Sequence, residues 1–418
     1  MKTLVLVASV VCISVFAQAQ DTLKVNLADA ESRFLKNNLL LLAGQYNVDA
    51  QQALIAQARL WENPRFSAEL NAYNADANRA FDVGKNGQKI FALEQVFYIG
   101  GKKKYEVDLA KQNKQIAQYE FQDLLRNLKF QLRKNFYSLH YDRITLGIYN
   151  NQLQLLQNII GAYEEQSQKG NISLKEVLRL KAIYYQLNNE KTDLLLSISD
   201  AQGVLQTLLG TGEIIQPVVE SNFTNNYKEK ALNLQQLVAD ALANRPDFQR
   251  TKTELQSAET NVRLQKSLGV PDLTLGGVYD QQGSAFRNYV GLTMGMNLPL
   301  WNVNQGNIKA AKLNLKAVEA LQQNSERTLE VEVKTAYEKA LRIEEEYQTI
   351  DKTYSAEFEL LNKGVIENFQ KRNITLLEFT DFFESYNQSQ SELNKLRKTR
   401  IAAYEELNAA VGKEIFNP

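Results

Sequence analysis

The chain has 418 residues, 48 Lys or Arg against 48 Asp or Glu, and is 44% hydrophobic and 23% charged. That balance excludes a disordered polyelectrolyte and leaves no basic surplus of the kind a nucleic-acid surface needs. With only 20 Gly and 6 Pro, little interrupts helix formation over most of the length.

At the start, Lys2, the apolar run Leu4–Phe16 and Ala17-Gln18-Ala19 read as a secretory signal over residues 1–19. A signal anchor is the alternative, but the run is short of the about 20 apolar residues a span requires. Cys12, the single cysteine, falls inside this run without a lipobox. The mature chain from Gln20 is therefore expected to carry no disulfide and no thiolate metal site. Beyond it no stretch of 18 consecutive apolar residues occurs, Leu39–Ala43 being the nearest, so any membrane span must be made of strands.

The rest reads as two repeats, 20–210 and 234–418, joined by a linker at 211–233 that holds Gly212 and Pro217. Trp61-Glu62-Asn63-Pro64-Arg65-Phe66 corresponds to Leu268-Gly269-Val270-Pro271-Asp272-Leu273, and Gln95-Val96-Phe97 to Pro299-Leu300-Trp301. Further on, Lys169-Gly170-Asn171-Ile172-Ser173 corresponds to Lys371-Arg372-Asn373-Ile374-Thr375. Each repeat runs helix, two strands, a very long helix, a turn and a further helix.

In the first repeat the helices are expected at about 39–60, 102–168 and 173–208, and the strands at about 65–73 and 88–97. The long helix carries two apolar stripes, one through Leu125, Leu128, Leu132, Phe136, Leu139, Leu146, Tyr149, Leu153, Leu156 and Ile160, the other through Phe130, Tyr137, Tyr141, Ile144, Ile148, Leu155 and Ile159. Two stripes about 100° apart bury one helix against two neighbours, as in a wall of helices. About 65 helical residues extend roughly 100 Å. In the second repeat, strands are expected at about 272–279 and 288–300. No Gly or Pro breaks Ile308–Lys363, where Tyr347, Ile350, Tyr354, Phe358, Leu361 and Val365 mark a coiled-coil seam.

The clearest alternation lies in the last strand. Val290, Leu292, Met294, Met296 and Leu298 point one way, while Tyr289, Gly291, Thr293, Gly295 and Asn297 point the other. Such a strand suits a transmembrane barrel with the first set facing lipid, or a soluble sheet with one wet face. Trp61 and Trp301 flank the strands at one end, the level of interfacial aromatics; core packing explains them equally. Four strands cannot close a membrane barrel, whose smallest form has about eight, so the chain is expected to share one with further copies.

With the duplication, Ala243-Asn244-Arg245-Pro246-Asp247-Phe248, Val270-Pro271-Asp272-Leu273, Phe97-Tyr98-Ile99-Gly100-Gly101-Lys102 and Leu298-Pro299-Leu300-Trp301-Asn302 resemble the TolC-type outer-membrane efflux family from about Leu27 to Gly412. The resemblance implies a mostly α fold with a small β part. It also implies a homotrimer sharing a 12-stranded barrel in outer-membrane lipid, continued by a long periplasmic α-helical barrel. Its partners would be a periplasmic adaptor (membrane fusion) protein and an inner-membrane pump of RND or ABC type. Asn63-Pro64 and the compact length look like the heavy-metal cation branch; drug efflux and, less so, type I protein secretion are the other cargo classes.

The resemblance further places a periplasmic gate at Glu176, Glu378 and Asp381, just after the turns at 170–173 and 370–375. A threefold acidic ring would concentrate like charge on a narrow axis. Ser173-x-x-Glu176 and Thr375-x-x-Glu378 are also capping boxes, which give both glutamates a structural role instead. Asp381 lies a turn beyond the box and is the first choice for the gate. Arg372 does not align with the family's tip arginine.

No nucleophile–base motif, phosphate loop or dinucleotide fingerprint occurs, and His140 stands alone without a metal-ligand cluster. An exit duct that needs no cofactor and no metal, and is no enzyme, is the leading reading. A structural or adhesive periplasmic coiled coil with a soluble sheet is the alternative.

Overall fold

A computed structural model describes residues 21–85, 87–220, 232–282 and 286–416, with the side chains of 351–359 and Phe286 excepted. The expected signal segment with Cys12, and part of the expected linker, lie outside the described residues. So do the side chains of Tyr354 and Phe358.

The first repeat holds β1 (Thr22–Val25), α1 (Leu27–Asn37), α2 (Leu39–Arg59), β2 (Arg65–Leu70), β3 (Tyr73–Asn74), β4 (Arg79–Ala80), β5 (Gln88–Phe97), α3 (Lys102–Gln168) and α4 (Leu174–Leu209). After it come β6 (Ile214–Pro217), α5 (Leu234–Asn244), α6 (Pro246–Leu268), β7 (Leu273–Gln282), β8 (Phe286–Met296), α7 (Gln305–Gln370) and α8 (Leu376–Val411). These residues divide into two compact units, one made of 21–38, 132–220 and 350–399, the other of 39–131, 232–349 and 400–416.

The second unit carries a four-stranded antiparallel sheet in the order β2-β5-β7-β8. Gly100 and Gly101, at φ 73° and 81°, turn β5 into α3; a Cβ on Gly100 would sit 3.0 Å from Val270 Cβ. Lys102, buried at the start of α3, pairs with Asp272 at 2.7 Å beside β7. Strand β8 ends at Met296, earlier than the expected 300. Pro299 has no N–H for the ladder, and Leu300 N closes a tight turn onto Leu298 O at 3.0 Å. Leu298 is therefore exposed but lies beyond the strand it was assigned to.

Arg245 organises the base of the same unit. Its guanidinium, largely buried, binds Asp247, Glu332 Oε2 at 2.6 Å and Ala410 O at 3.3 Å, while Pro246 opens α6. Burial alone would raise the Asp247 pKa, but the Arg245 bonds outweigh it and hold the carboxyl below its usual range. Buried Arg400 likewise binds Glu344, to which Tyr404 donates at 2.8 Å. The buried row of α7 here is Leu329, Val333, Ala336 and Ala340. Of the expected seam, Tyr347 and Ile350 are half-buried and Val365 packs against the core of the first unit, while Leu361 is exposed.

In the first unit, β1 pairs in parallel with β6, and Asn38 Nδ2 donates to Leu208 O at 3.1 Å, tying α1 to the end of α4. Leu132, Phe136, Leu139, Tyr149, Leu153 and Leu156 of α3 are buried, as the first stripe predicts. From the second stripe Tyr137 and Tyr141 are buried while Ile144 is exposed. A core of Leu156, Ile160, Leu180, Ile183, Phe369, Phe379 and Phe383 joins α3, α4, α7 and α8 near the two turns.

Candidate functional site

Each sheet face follows from the register, because directly opposed residues of antiparallel strands share a face. Met296, Met294, Leu292 and Val290 of β8 oppose Leu273, Leu275, Gly277 and Tyr279 of β7. Those residues oppose Phe97, Gln95, Leu93 and Phe91 of β5, and Leu93 and Phe91 oppose Phe66 and Ala68 of β2. One face is thus apolar across all four strands between Gln95 near one end and Lys89 near the other. Phe66 stacks on Phe91 at 6.2 Å and Phe91 on Tyr279 at 6.4 Å, which joins three strands along it. The opposite face is mixed, with Arg65, Ser67, Glu69, Glu94, Thr274, Asp280, Thr293 and small glycines among Ile90, Ala92, Val96, Val278 and Tyr289.

Among the described residues the apolar face has no cover in the single chain. Leu292 is 95% exposed, and Val290 and Met294 are each 77% exposed. A continuous apolar surface of this kind marks a membrane or partner contact rather than a wet face. Strands β2 and β8 are both edges, so each leaves one row of backbone N–H and C=O groups unpaired. Trp61 stacks on Tyr98 at 5.9 Å beside Phe97, whereas Trp301 is 87% exposed.

Two turns form the other candidate. Gly170 at φ 77° and Arg372 at φ 61° take the left-handed position after α3 and α7. Asn171 N then closes on Gln166 O, and Asn373 N on Asn368 O, both at 2.9 Å. Both capping boxes form. Ser173 N reaches Glu176 Oε2 at 3.2 Å and Glu176 N returns to Ser173 Oγ at 3.4 Å. Thr375 N reaches Glu378 Oε2 at 2.7 Å and Glu378 N returns to Thr375 Oγ1 at 3.2 Å. The Thr375 backbone bond holds the Glu378 carboxyl below its usual pKa. Sequence reasoning therefore located a real cap at each glutamate.

Asp381 has a partner that the sequence did not disclose: Arg179 of α4 lies 3.3 Å away, 202 positions distant, and both side chains remain largely solvated. Also missed was the aromatic column beneath the turns. Tyr163 stacks on Phe369 at 6.0 Å, Phe369 on Phe379 at 4.1 Å, and Phe379 meets Phe383 at 5.6 Å. The spacing of Phe379 and Phe383 on one helix face was its only sequence signal. His140 sits edge-on to Tyr141, and burial lowers its pKa, favouring the neutral ring. No helix among the described residues is long and apolar enough to cross a membrane.

The family model for outer membrane efflux proteins matches residues 31–211 and 237–413. The chain belongs to the outer membrane efflux protein family. The two matched segments reproduce the internal duplication, and membership sets aside the adhesive coiled-coil alternative. Cobalt-zinc-cadmium resistance protein CzcC of Cupriavidus metallidurans is 21% identical over 275 residues, 66% of this chain and 63% of that relative. The alignment thus spans less than two thirds of the relative's length. Crystallised CusC superposes with a TM-score of 0.75 at 18% identity, over 93% of this chain and 92% of that one. The CmeC outer membrane channel of Campylobacter jejuni also gives 0.75, at 15% identity, over 93% and 85% of the two chains. The efflux protein therefore has the fold of these outer membrane channels, a mostly helical chain of two repeats with a small sheet.

Proposed function

We propose that three copies of this efflux protein close their sheets into one 12-stranded barrel, the apolar face toward lipid and the opposite face toward a lumen. The helices would continue that passage into the periplasm. The observation that carries this reading is a four-strand sheet with one face apolar between Gln95 and Lys89, most exposed along β8, and two unpaired edges. In hydrocarbon each unpaired backbone group costs several kcal/mol, and joining β8 of one copy to β2 of the next removes both edges. On this reading Val290, Leu292, Met294 and Met296 face lipid, and Trp61 and Trp301 lie at the membrane boundary. Leu298, just past β8, belongs to the boundary rather than to the lipid row.

The chain does no chemistry of its own. It acts as the exit duct of a tripartite assembly with a periplasmic adaptor and an inner-membrane pump of RND or ABC type. Small molecules or metal cations are the cargo; the resistance named for CzcC favours divalent metals. Asp381, with Glu378 and Glu176, rings the periplasmic constriction, and the Arg179–Asp381 pair holds α4 to α8 beside it.

Leu292→Arg tests this reading. At the membrane midplane the change should cost about 2–4 kcal/mol and prevent trimer assembly, whereas Thr293→Arg on the opposite face should assemble. Normal trimers of the Leu292 variant would contradict the proposal. Sensitivity of a deletion strain to cobalt, zinc and cadmium, set against its sensitivity to hydrophobic drugs, distinguishes the cargo classes.

A further inference from the structure

Between α4, α8 and α3 in the first unit lies an open cavity of about 430 Å³. On α8 it is lined by Glu384, Asn387, Gln388, Ser391 and Glu392, the i, i+3, i+4, i+7, i+8 positions of one helix face. A face that packs against other helices is normally apolar, and one turn earlier it is, with Phe379 and Phe383 both buried. From Glu384 to Glu392 the α8 positions that line the cavity are polar, although Phe383 lines it too and Tyr386 and Leu393 of the same stretch stay buried.

Floor and rim differ in chemistry. Ile183 and Leu187 of α4, Phe383 of α8 and the Tyr149 ring of α3 are buried and give the floor an apolar, aromatic surface. Asn387 is 6% exposed, and its Oδ1 has no hydrogen-bond partner. A buried carbonyl left unpaired costs free energy unless a donor reaches it from the cavity. The rim is formed by Glu190, Glu384 and Glu392, with no Lys or Arg among the lining residues. Glu190 accepts only from neutral donors here, Tyr149 Oη at 3.3 Å and Gln186 Nε2 at 3.2 Å. Glu392 also meets Lys395 at 3.4 Å on the solvated surface. Burial pushes the Tyr149 pKa up, so its hydroxyl stays neutral and bridges Glu190 to Ser391 at 3.1 Å.

We infer that this cavity binds an amphipathic organic cation, with its apolar body on the Tyr149 and Phe383 floor and its ammonium group at the three-carboxylate rim. The volume lies in the range of small-molecule sites, about 300–1,000 Å³. The aromatic floor takes the apolar body, and the carboxylates supply the counter-charge for the head. The donors are all hard oxygens, yet no set of three or more His, Cys, Asp or Glu among the described residues converges closely enough to hold a metal ion. A diffuse positive charge fits such spacing better than a chelated one. The site uses none of Glu176, Glu378 or Asp381, and it stands apart from the choice of cargo.

The test is calorimetric titration of the purified full chain in neutral detergent with benzyltrimethylammonium, neutral benzyl alcohol and calcium chloride as probes. Saturable binding of the ammonium probe is expected, at least about tenfold tighter than benzyl alcohol, and weakening as NaCl rises from about 50 to about 500 mM. The Glu190→Gln/Glu384→Gln/Glu392→Gln variant keeps the side-chain size while turning each carboxylate into a neutral amide with one acceptor oxygen, and should weaken binding at least about tenfold. Should that variant fail to assemble, Glu384→Gln alone and the salt series carry the same comparison. No saturable binding of the ammonium probe, equal binding of the neutral analogue, an unchanged affinity in the variants, or preferential binding of calcium would each overturn the inference.

Discussion

The sheet and the two turns solve the same problem, polar backbone at the end of an element, in opposite ways. At the turns the single chain satisfies itself: Glu176 and Glu378 bond back to Ser173 and Thr375, and Asp381 meets Arg179. At the sheet nothing does, since β2 and β8 have no outer neighbour and Leu292 has no cover. The difference indicates which contacts demand other copies of the chain. Charges at the turns are free to serve a gate because folding does not need a pore to satisfy them. The sheet has no such freedom.

Several substitutions break or sharpen this contrast. The largest effect is expected at a buried pair that belongs to neither region. Glu344→Ala removes the carboxylate that buried Arg400 and Tyr404 both bind and should destabilise the unit by about 3–5 kcal/mol, read as a fall in thermal midpoint. Burial raises the Glu344 pKa, but bonds from Arg400 and Tyr404 outweigh it and leave the value lowered. That contribution is complete above the ordinary carboxylate range and is lost as pH falls through the depressed native value. Stability measured from pH 7 downward should therefore be flat until about pH 4 and then decline, with a smaller decline in the variant.

Next in size are the turns themselves. Thr375→Ala and Ser173→Ala should each cost about 1 kcal/mol of local stability, read by hydrogen exchange at the start of α8 and α4, while trimers persist. Gly170→Ala should cost about 1 kcal/mol, and Arg372→Gly should gain a comparable amount, because only glycine occupies φ 77° or 61° without strain. The smallest effect on stability is expected at Asp381. Its solvated pair with Arg179 is worth about 0–1 kcal/mol, yet Asp381→Ala with Glu378→Ala should raise single-channel conductance and lower cation preference in planar bilayers. Unchanged conductance in assembled trimers would remove these residues from the gate.

How far the sequence disclosed this molecule depended on whether the signal was local. The long helix could be bounded at Lys102 and Gln168 because left-handed glycines, Gly101 and Gly170, stand at both ends. The capping boxes were readable for the same reason. By contrast, the face of β5 was obscure, since Ile90, Phe91, Ala92 and Leu93 are all apolar, and only pairing with β7 assigns them. The Arg179–Asp381 pair depends on which helices become neighbours, which no spacing along the chain reveals. Leu298 continued the alternation of β8 but lies past the last pair of the ladder, Leu273 with Met296, where β7 begins.

Pairing between β8 and β2 of different copies can be measured directly. Cys12 is the one native cysteine, so with Cys12 replaced by Ser, one cysteine placed in β8, at Thr293, and one in β2, scanned over Arg65, Ser67 and Glu69, are the only thiols present. Oxidation in native outer membranes should join three chains covalently at one of the β2 positions, giving a trimer band that reductant dissolves. If all three pairings yield only monomers in membranes where the protein is inserted, the sheets are not shared between copies and the account of the duct is wrong.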